Sequence, residues 1–234
     1  MAWLKDHATA RTRAGLSRYG IVTAEPVLGV SMADTQRLGR MLGRDHVLAE
    51  ALWCTGVFDA RMLTAFVDEP ARVTSAQMDR WCRQFDNWAI CDTLCFHLFD
   101  RTPHAWAKVD AWSRGRGEFV KRTAFALLWS LALHDKGAAE QRFLGGLRLI
   151  EQQAVDPRHF VMKAVNMALR AVGRRGPRVH AEAVAVARRL AASGDAAPRW
   201  VGRDALKTLL KAPPTPRPKG RPTVTSKSGP KSRN

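Results

Sequence analysis

Acidic residues are scarce in this chain. It holds 21 Asp and Glu against 38 Lys and Arg, a formal net charge of +17. The last 23 residues, 212–234, contain Arg217, Lys219, Arg221, Lys227, Lys231 and Arg233 and no acid, so the first 211 still carry +11. A basic body, beyond a basic end, points to a polyanionic partner, with nucleic acid ahead of an anionic membrane. Long apolar runs are missing too. No stretch of about 18 apolar residues occurs, which excludes a spanning helix. The start, Met1-Ala2-Trp3-Leu4-Lys5-Asp6-His7, lacks the apolar core of a signal peptide, so a cytoplasmic location is expected.

Cysteine is sparse as well: Cys54, Cys82, Cys91 and Cys95, with no C-x-x-C pair. Cys91 and Cys95 share a helix face inside an apolar run, and a zinc site there would need two further ligands. Only Cys82 and His97 are near, and His97 lies off that face. Buried free thiols in a reducing compartment are the expected state. The seven histidines form no cluster at ligand spacing. No metal or other cofactor is expected.

Strand-like alternation is also absent, apart from the short run Gly20-Ile21-Val22-Thr23. Helical periodicity fills the rest. A short basic helix is expected over about 6–18. Helices then follow at about 31–43, 45–55, 57–68, 75–84, 87–99, 103–113, 118–134, 138–153, 158–172, 177–193 and 199–211, with boundaries good to a few residues. Capping residues mark several starts: Ser31, Thr74 or Ser75, Asp156-Pro157 and Gly176-Pro177. From residue 45 the helices form five antiparallel pairs, the spacing of an all-α, HEAT-like solenoid, and a compact helical bundle is the alternative. Stacked pairs would leave a concave surface wide enough for a duplex. Trp81, Trp106, Trp112 and Trp129 sit among Ala, Leu and Phe and read as packing residues. The division expected is a folded domain over 1–211 and a disordered Pro, Lys and Arg-rich tail over 212–234. Nothing in the sequence signals oligomerisation, and a monomer is expected.

One stretch organises the chemistry: Phe85-Asp86-Asn87-Trp88-Ala89-Ile90-Cys91-Asp92, with Val120-Lys121-Arg122-Thr123-Ala124 thirty residues on. Asp86 or Asn87 can cap a helix in which Trp88 and Asp92 lie one turn apart, roughly 40° around the axis. An indole face beside a carboxylate suits a cationic substrate. The same residues have a structural account: Trp88 as core, and Asp92 paired with Arg122 between successive helical pairs. Lys163 and Arg170, seven apart on one helix, share a face, and Arg174-Arg175 closes that helix. These cations fit a DNA-facing stripe as well as a solvated surface.

The order Asp86-Asn87-Trp88-x-x-x-Asp92, Lys121-Arg122-x-Ala124 and Lys163-Ala164-Val165-Asn166-x-Ala168-Leu169-Arg170 is similar to that of the DNA alkylation repair (AlkD-like) glycosylases. Tyr19-Gly20-Ile21, Leu28-Gly29-Val30-Ser31, Leu52-Trp53 and Phe58-Asp59-Ala60-Arg61 support the likeness, which runs from about 15 to 211. The resemblance implies a HEAT-like solenoid cradling double-stranded DNA and excision of N3-methyladenine and N7-methylguanine without metal or organic cofactor. It also implies action without a tight base-enclosing pocket. By position, Trp88 faces the lesion-bearing nucleotide, Asp92 is the catalytic carboxylate and Arg122 contacts the DNA backbone. Lys121, Lys163, Asn166, Met167 and Arg170 belong to the DNA-binding set. Met167 stands where many members have a second Trp, which replaces a ring face by a thioether.

A single acid suits this chemistry. An alkylated purine is already positively charged and leaves as a neutral base, so no general acid is needed, unlike ordinary glycoside hydrolysis with its two carboxylates. Two other functions are consistent with the sequence: a non-catalytic solenoid binding damaged or branched DNA, which Met167 favours, and a scaffold for an acidic protein.

Overall fold

A computed structural model describes residues 1–211, and over them the chain is helical, with no strand. The expected disordered tail, 212–234, lies outside the described residues. The helices are α1 (Ala2–Asp6), α2 (Ala10–Gly15), α3 (Met32–Leu42), α4 (His46–Cys54), α5 (Phe58–Val67), α6 (Ser75–Cys82), α7 (Trp88–His97), α8 (Ala105–Ser113), α9 (Glu118–His134), α10 (Glu140–Gln153), α11 (His159–Val172), α12 (Pro177–Ala191) and α13 (Ala196–Leu209). The single helix expected over 6–18 is broken: α1 and α2 are short, and a 3-10 turn, Leu16–Tyr19, follows α2. None of these residues in α2 or the turn is buried, so no packed face holds a longer helix together.

Side-chain caps fix several starts. Ser31 accepts from the Asp34 amide, Asp45 from Leu48, and Thr74 forms a reciprocal capping box with Gln77. Asn87, not Asp86, caps α7, accepting from the amides of Ala89 and Ile90. Pro177 occupies the first turn of α12. At α11 the expected Asp156 cap is displaced. The N-cap is Arg158, and Asp156 accepts from its backbone amide instead.

Four of the five pairs expected from residue 45 form, α4 with α5, α8 with α9, α10 with α11 and α12 with α13, whereas α6 packs on α9 rather than mainly on α7. The odd members α3, α5, α7, α9, α11 and α13 pack each on the next, forming one row. In the other row α8, α10 and α12 follow one another, and the Trp53 and Trp81 rings of α4 and α6 stack 4.2 Å apart. This is a two-row helical solenoid. Its centre is α9, buried without interruption from Arg122 to Leu128. Full burial of each large apolar side chain there contributes about 1.5–3 kcal/mol. Gly202 lets α13 approach α12, since a Cβ would overlap the Ala187 and Ala191 backbone.

Trp81 and Trp112 are core residues, while Trp106 and Trp129 are partly buried against the core. The Trp112 indole donates to Asp79 at 2.8 Å and that of Trp106 to Asp135 at 3.0 Å. Cys82, Cys91 and Cys95 are buried free thiols; Cys54 is exposed. Burial pushes the Cys82 thiol up to about 12.

The stretch from Gly20 to Val30 is neither helix nor strand. Two carboxylates of the odd row hold it down. Asp86 accepts from the Thr23 hydroxyl at 2.7 Å and the Ala24 amide at 2.8 Å. Asp59, on α5, accepts from the amides of Leu28 at 2.6 Å and Val30 at 2.7 Å. Gly29 takes φ +96° there, where a side chain would also strike the Thr9 carbonyl and Arg13. The N-terminal segment is thereby fastened over the first turns of α5 and α7.

Candidate active site and nucleic-acid interface

Trp88 and Asp92 lie one turn apart on α7 and line one cavity of about 280 Å³. Leu16, Tyr19 and Ile21, with Met32 of α3, close its other side, so the fastened N-terminal segment supplies part of the wall. Trp88 is half-buried, and its indole N–H donates to the Tyr19 carbonyl at 3.0 Å. That bond fixes the ring plane and ties α7 to the turn after α2.

Asp92 is held by Arg122 in a two-pronged contact. Nε approaches Oδ1 at 3.1 Å and Nη2 approaches Oδ2 at 2.7 Å. The third guanidinium nitrogen, Nη1, donates to the Phe160 carbonyl of α11 at 2.9 Å. Arg122 therefore links α7, α9 and α11, and it is only 6% exposed. The Trp88 and Phe160 rings flank it, each centred 5.9 Å from the guanidinium carbon. Burial pushes the Asp92 carboxyl above its ordinary value, and the Arg122 charge opposes that rise. The resemblance puts Arg122 at the DNA backbone; its guanidinium is instead turned inward onto the carboxylate.

The remaining predicted residues divide. Lys121 is turned to Asp156 at 2.9 Å, and Arg158 reaches the same carboxylate at 2.5 Å. Asn166 is 2% exposed and donates to the Val201 carbonyl at 3.1 Å, a bond between α11 and α13. Neither is presented as an open stripe would require. Lys163 is exposed, with its ammonium 4.8 Å above the Trp200 ring. Met167 and Arg170 are half-buried neighbours, Nη1 lying 3.7 Å from the thioether sulfur. Beyond them on α13, Arg199, Trp200, Arg203 and Lys207 line a shallow cavity of about 340 Å³. Trp200, Arg203 and Lys207 escaped the sequence reading, although they recur at helical spacing on a basic helix.

Among the described residues no cluster of His, Cys, Asp or Glu is placed to hold a metal ion. Nor is any helix among them long and apolar enough to cross a membrane.

Paired helices in two rows, with a carboxylate and an indole lining a cavity in one row, define a HEAT-like repeat protein. A solved structure described as "a new family of proteins related to the HEAT-like repeat DNA glycosylases with affinity for branched DNA structures" shares the fold, with a TM-score of 0.70 at 20% identity over 79% of each chain. The chain belongs to the DNA alkylation repair enzyme family, whose sequence profile matches residues 1–209. No curated protein matches its sequence.

Proposed function

We propose that the protein is a DNA glycosylase that releases cationic N-alkylated purines, N3-methyladenine and N7-methylguanine, from duplex DNA. The observation that carries this is Asp92, a carboxylate beside an indole in one cavity, gripped by one arginine, while the other carboxylate lining that cavity, Asp59, is taken up by the Leu28 and Val30 amides.

The reaction asks little of the protein. The glycosidic bond breaks with its electron pair passing to the purine, which cancels the positive charge of the alkylated ring. The sugar left behind is oxocarbenium-like. Ionised Asp92 stabilises it and orients the water that adds to the anomeric carbon and loses its proton. Trp88 holds the cationic lesion or its deoxyribose by its ring face, a contact of about 0.5–2 kcal/mol. Arg122 is a positioning residue here: it fixes both oxygens of Asp92 and keeps the carboxylate charged in a buried place. Lys163, Arg170, Arg203 and Lys207 supply phosphate contacts along the duplex. The protein acts without metal or cofactor, as a monomer in the cytoplasm.

The test is base release from methylated duplex. Asp92→Asn is expected to cut it by roughly 10²–10⁴-fold while binding to undamaged duplex survives. Release of N7-methylguanine at the normal rate by that variant rules the assignment out.

One observation favours a second reading, a non-catalytic protein that binds damaged or branched DNA. Met167 puts a thioether where the resemblance expects a second ring, and it lies beside Arg170 on α11 rather than lining the Trp88–Asp92 cavity. Purified protein that binds methylated DNA and frees no base decides for it.

A further inference from the structure

A second cationic pocket lies at the far end of the odd row. Arg40 comes from the last turn of α3, Arg44 from the connection after it, His97 from the end of α7, and Arg101 from the 3-10 turn Phe99–Arg101. With Phe66 of α5 they line an open cavity of about 430 Å³. No carboxylate lines it. A larger cavity of about 610 Å³ between α10 and α12 makes the contrast: Arg189 there is already matched by Glu151 and Glu182.

Folding sets these charges in place without neutralising them. Arg44 is anchored by the carbonyls of Asp68 at 2.5 Å and Ala65 at 3.4 Å, which hold the guanidinium at the rim. The nearby acids make their hydrogen bonds elsewhere and do not line the cavity. Asp68 takes His46 and Gln77, and Asp100 takes Ser130 and His134. Among the described residues neither Arg40 nor Arg101 has a carboxylate partner, and both are exposed. Burial, with the Arg101 charge next, pushes both Arg44 and His97 below their ordinary values. Converging like charges raise the free energy of the empty site, and an anion relieves it. The Phe66 and His97 rings, 4.6 Å apart and tilted 43° to each other, add two ring surfaces to the cavity wall.

We infer that Arg40, Arg44, Arg101 and His97 form a second DNA-backbone site, which takes the phosphates of a duplex arm other than the one lying at Trp88 and Asp92. The position supports two arms. His97 lies nine residues beyond Trp88 on α7, about 13 Å along the axis, on the opposite side of the helix. A net charge of +11 on the first 211 residues favours a polyanion over a small acidic ligand. This inference rests on the reading of the protein as DNA-binding but not on base release.

The test compares a three-way DNA junction with a linear duplex of equal length, titrated with salt. In the full-length chain, Arg40→Gln with Arg101→Gln is expected to weaken junction binding at least tenfold. Each lost phosphate contact lowers the log–log salt slope by about 0.9, so the junction slope falls by about two. Linear duplex binding changes less than twofold, and Arg40→Lys with Arg101→Lys keeps the junction preference. Equal loss on both DNAs, or no loss on either, overturns the proposal. Both side chains are exposed, so the melting temperature should stay unchanged; if the double variant is unstable, Arg101→Gln alone is expected to lower the slope by about one. Base release from methylated linear duplex separates the two ideas. The pocket variant leaves it unchanged if both are right, while an Asp92 failure leaves the junction result standing.

Discussion

The α7–α9 junction and the α11–α13 end of the same row handle charge in opposite ways. At the first, buried Arg122 is packed against half-buried Asp92, and each is held by more than one bond. At the second, Lys163, Arg203 and Lys207 stand open to solvent and touch little beyond the Trp200 ring and Asp204. The difference separates two tasks. A group that must sit at a reacting atom is worth holding rigidly, even at a desolvation cost of several kcal/mol per ion. A group that meets a phosphate contributes through its charge alone and works best at the surface, with its geometry loose.

Removing one half of the buried pair gives the largest effect expected. Arg122→Ala leaves an uncompensated carboxylate and should cost about 3–5 kcal/mol in denaturant unfolding, with base release lost together with it. Arg122→Lys keeps the charge but not the two-pronged grip; a large fall in release with a small fall in stability would show that the geometry matters beyond the charge.

Next comes Asp59, whose carboxylate takes the backbone amides that fasten the N-terminal segment. Asp59→Ala should destabilise by about 2–4 kcal/mol, since two or more buried N–H groups lose their acceptor. Hydrogen exchange at Leu28 and Val30 should speed up before exchange in α9. Global unfolding at the same rate throughout would show that the segment is not a separate unit.

Asp156 gives a pH-dependent effect. The side chains of Arg158 and then Lys121 hold its carboxyl well below the ordinary 3.8. A depressed native value adds stability above the unfolded value and loses it as pH falls below it. Asp156→Asn should therefore cost about 1–3 kcal/mol at pH 7, a gap that narrows on acidification below about pH 4. Asp92 is shifted the other way. Its carboxyl is raised, so base release should begin to fail at a pH above 3.8. A release rate flat down to that pH would contradict an ionised Asp92 in the reaction.

The smallest changes test the open end. Met167→Trp restores a ring face and should raise base release by about two- to tenfold, the worth of one aromatic contact. Lys163→Ala should lower the salt slope of duplex binding by about one, uniformly across sequences.

The sequence foretold the helical pairs well because each is a local matter. Ser31, Asp45, Thr74, Asn87 and Pro177 set starts within their own turns, and apolar spacing sets the buried faces. The same local logic placed Trp88 and Asp92 side by side. It failed where a residue's partner comes from elsewhere in the chain. Asp86 was a plausible cap, yet it binds Thr23 and Ala24 more than sixty positions away. The resemblance puts Asn166 in the DNA-binding set, yet it is turned to α13.

Periodicity, caps and charge balance thus determined an all-helical, basic, paired-helix chain and the spacing of its indole and carboxylate. Each is a property of a few neighbouring residues or of a sum. Only the packed structure decided that Arg122 faces Asp92 rather than solvent, that the N-terminal segment walls the cavity, and that three arginines and a histidine from separate elements share an acid-free pocket. Those outcomes depend on which helices lie side by side, and contacts between residues thirty to sixty positions apart leave no periodic trace in the sequence.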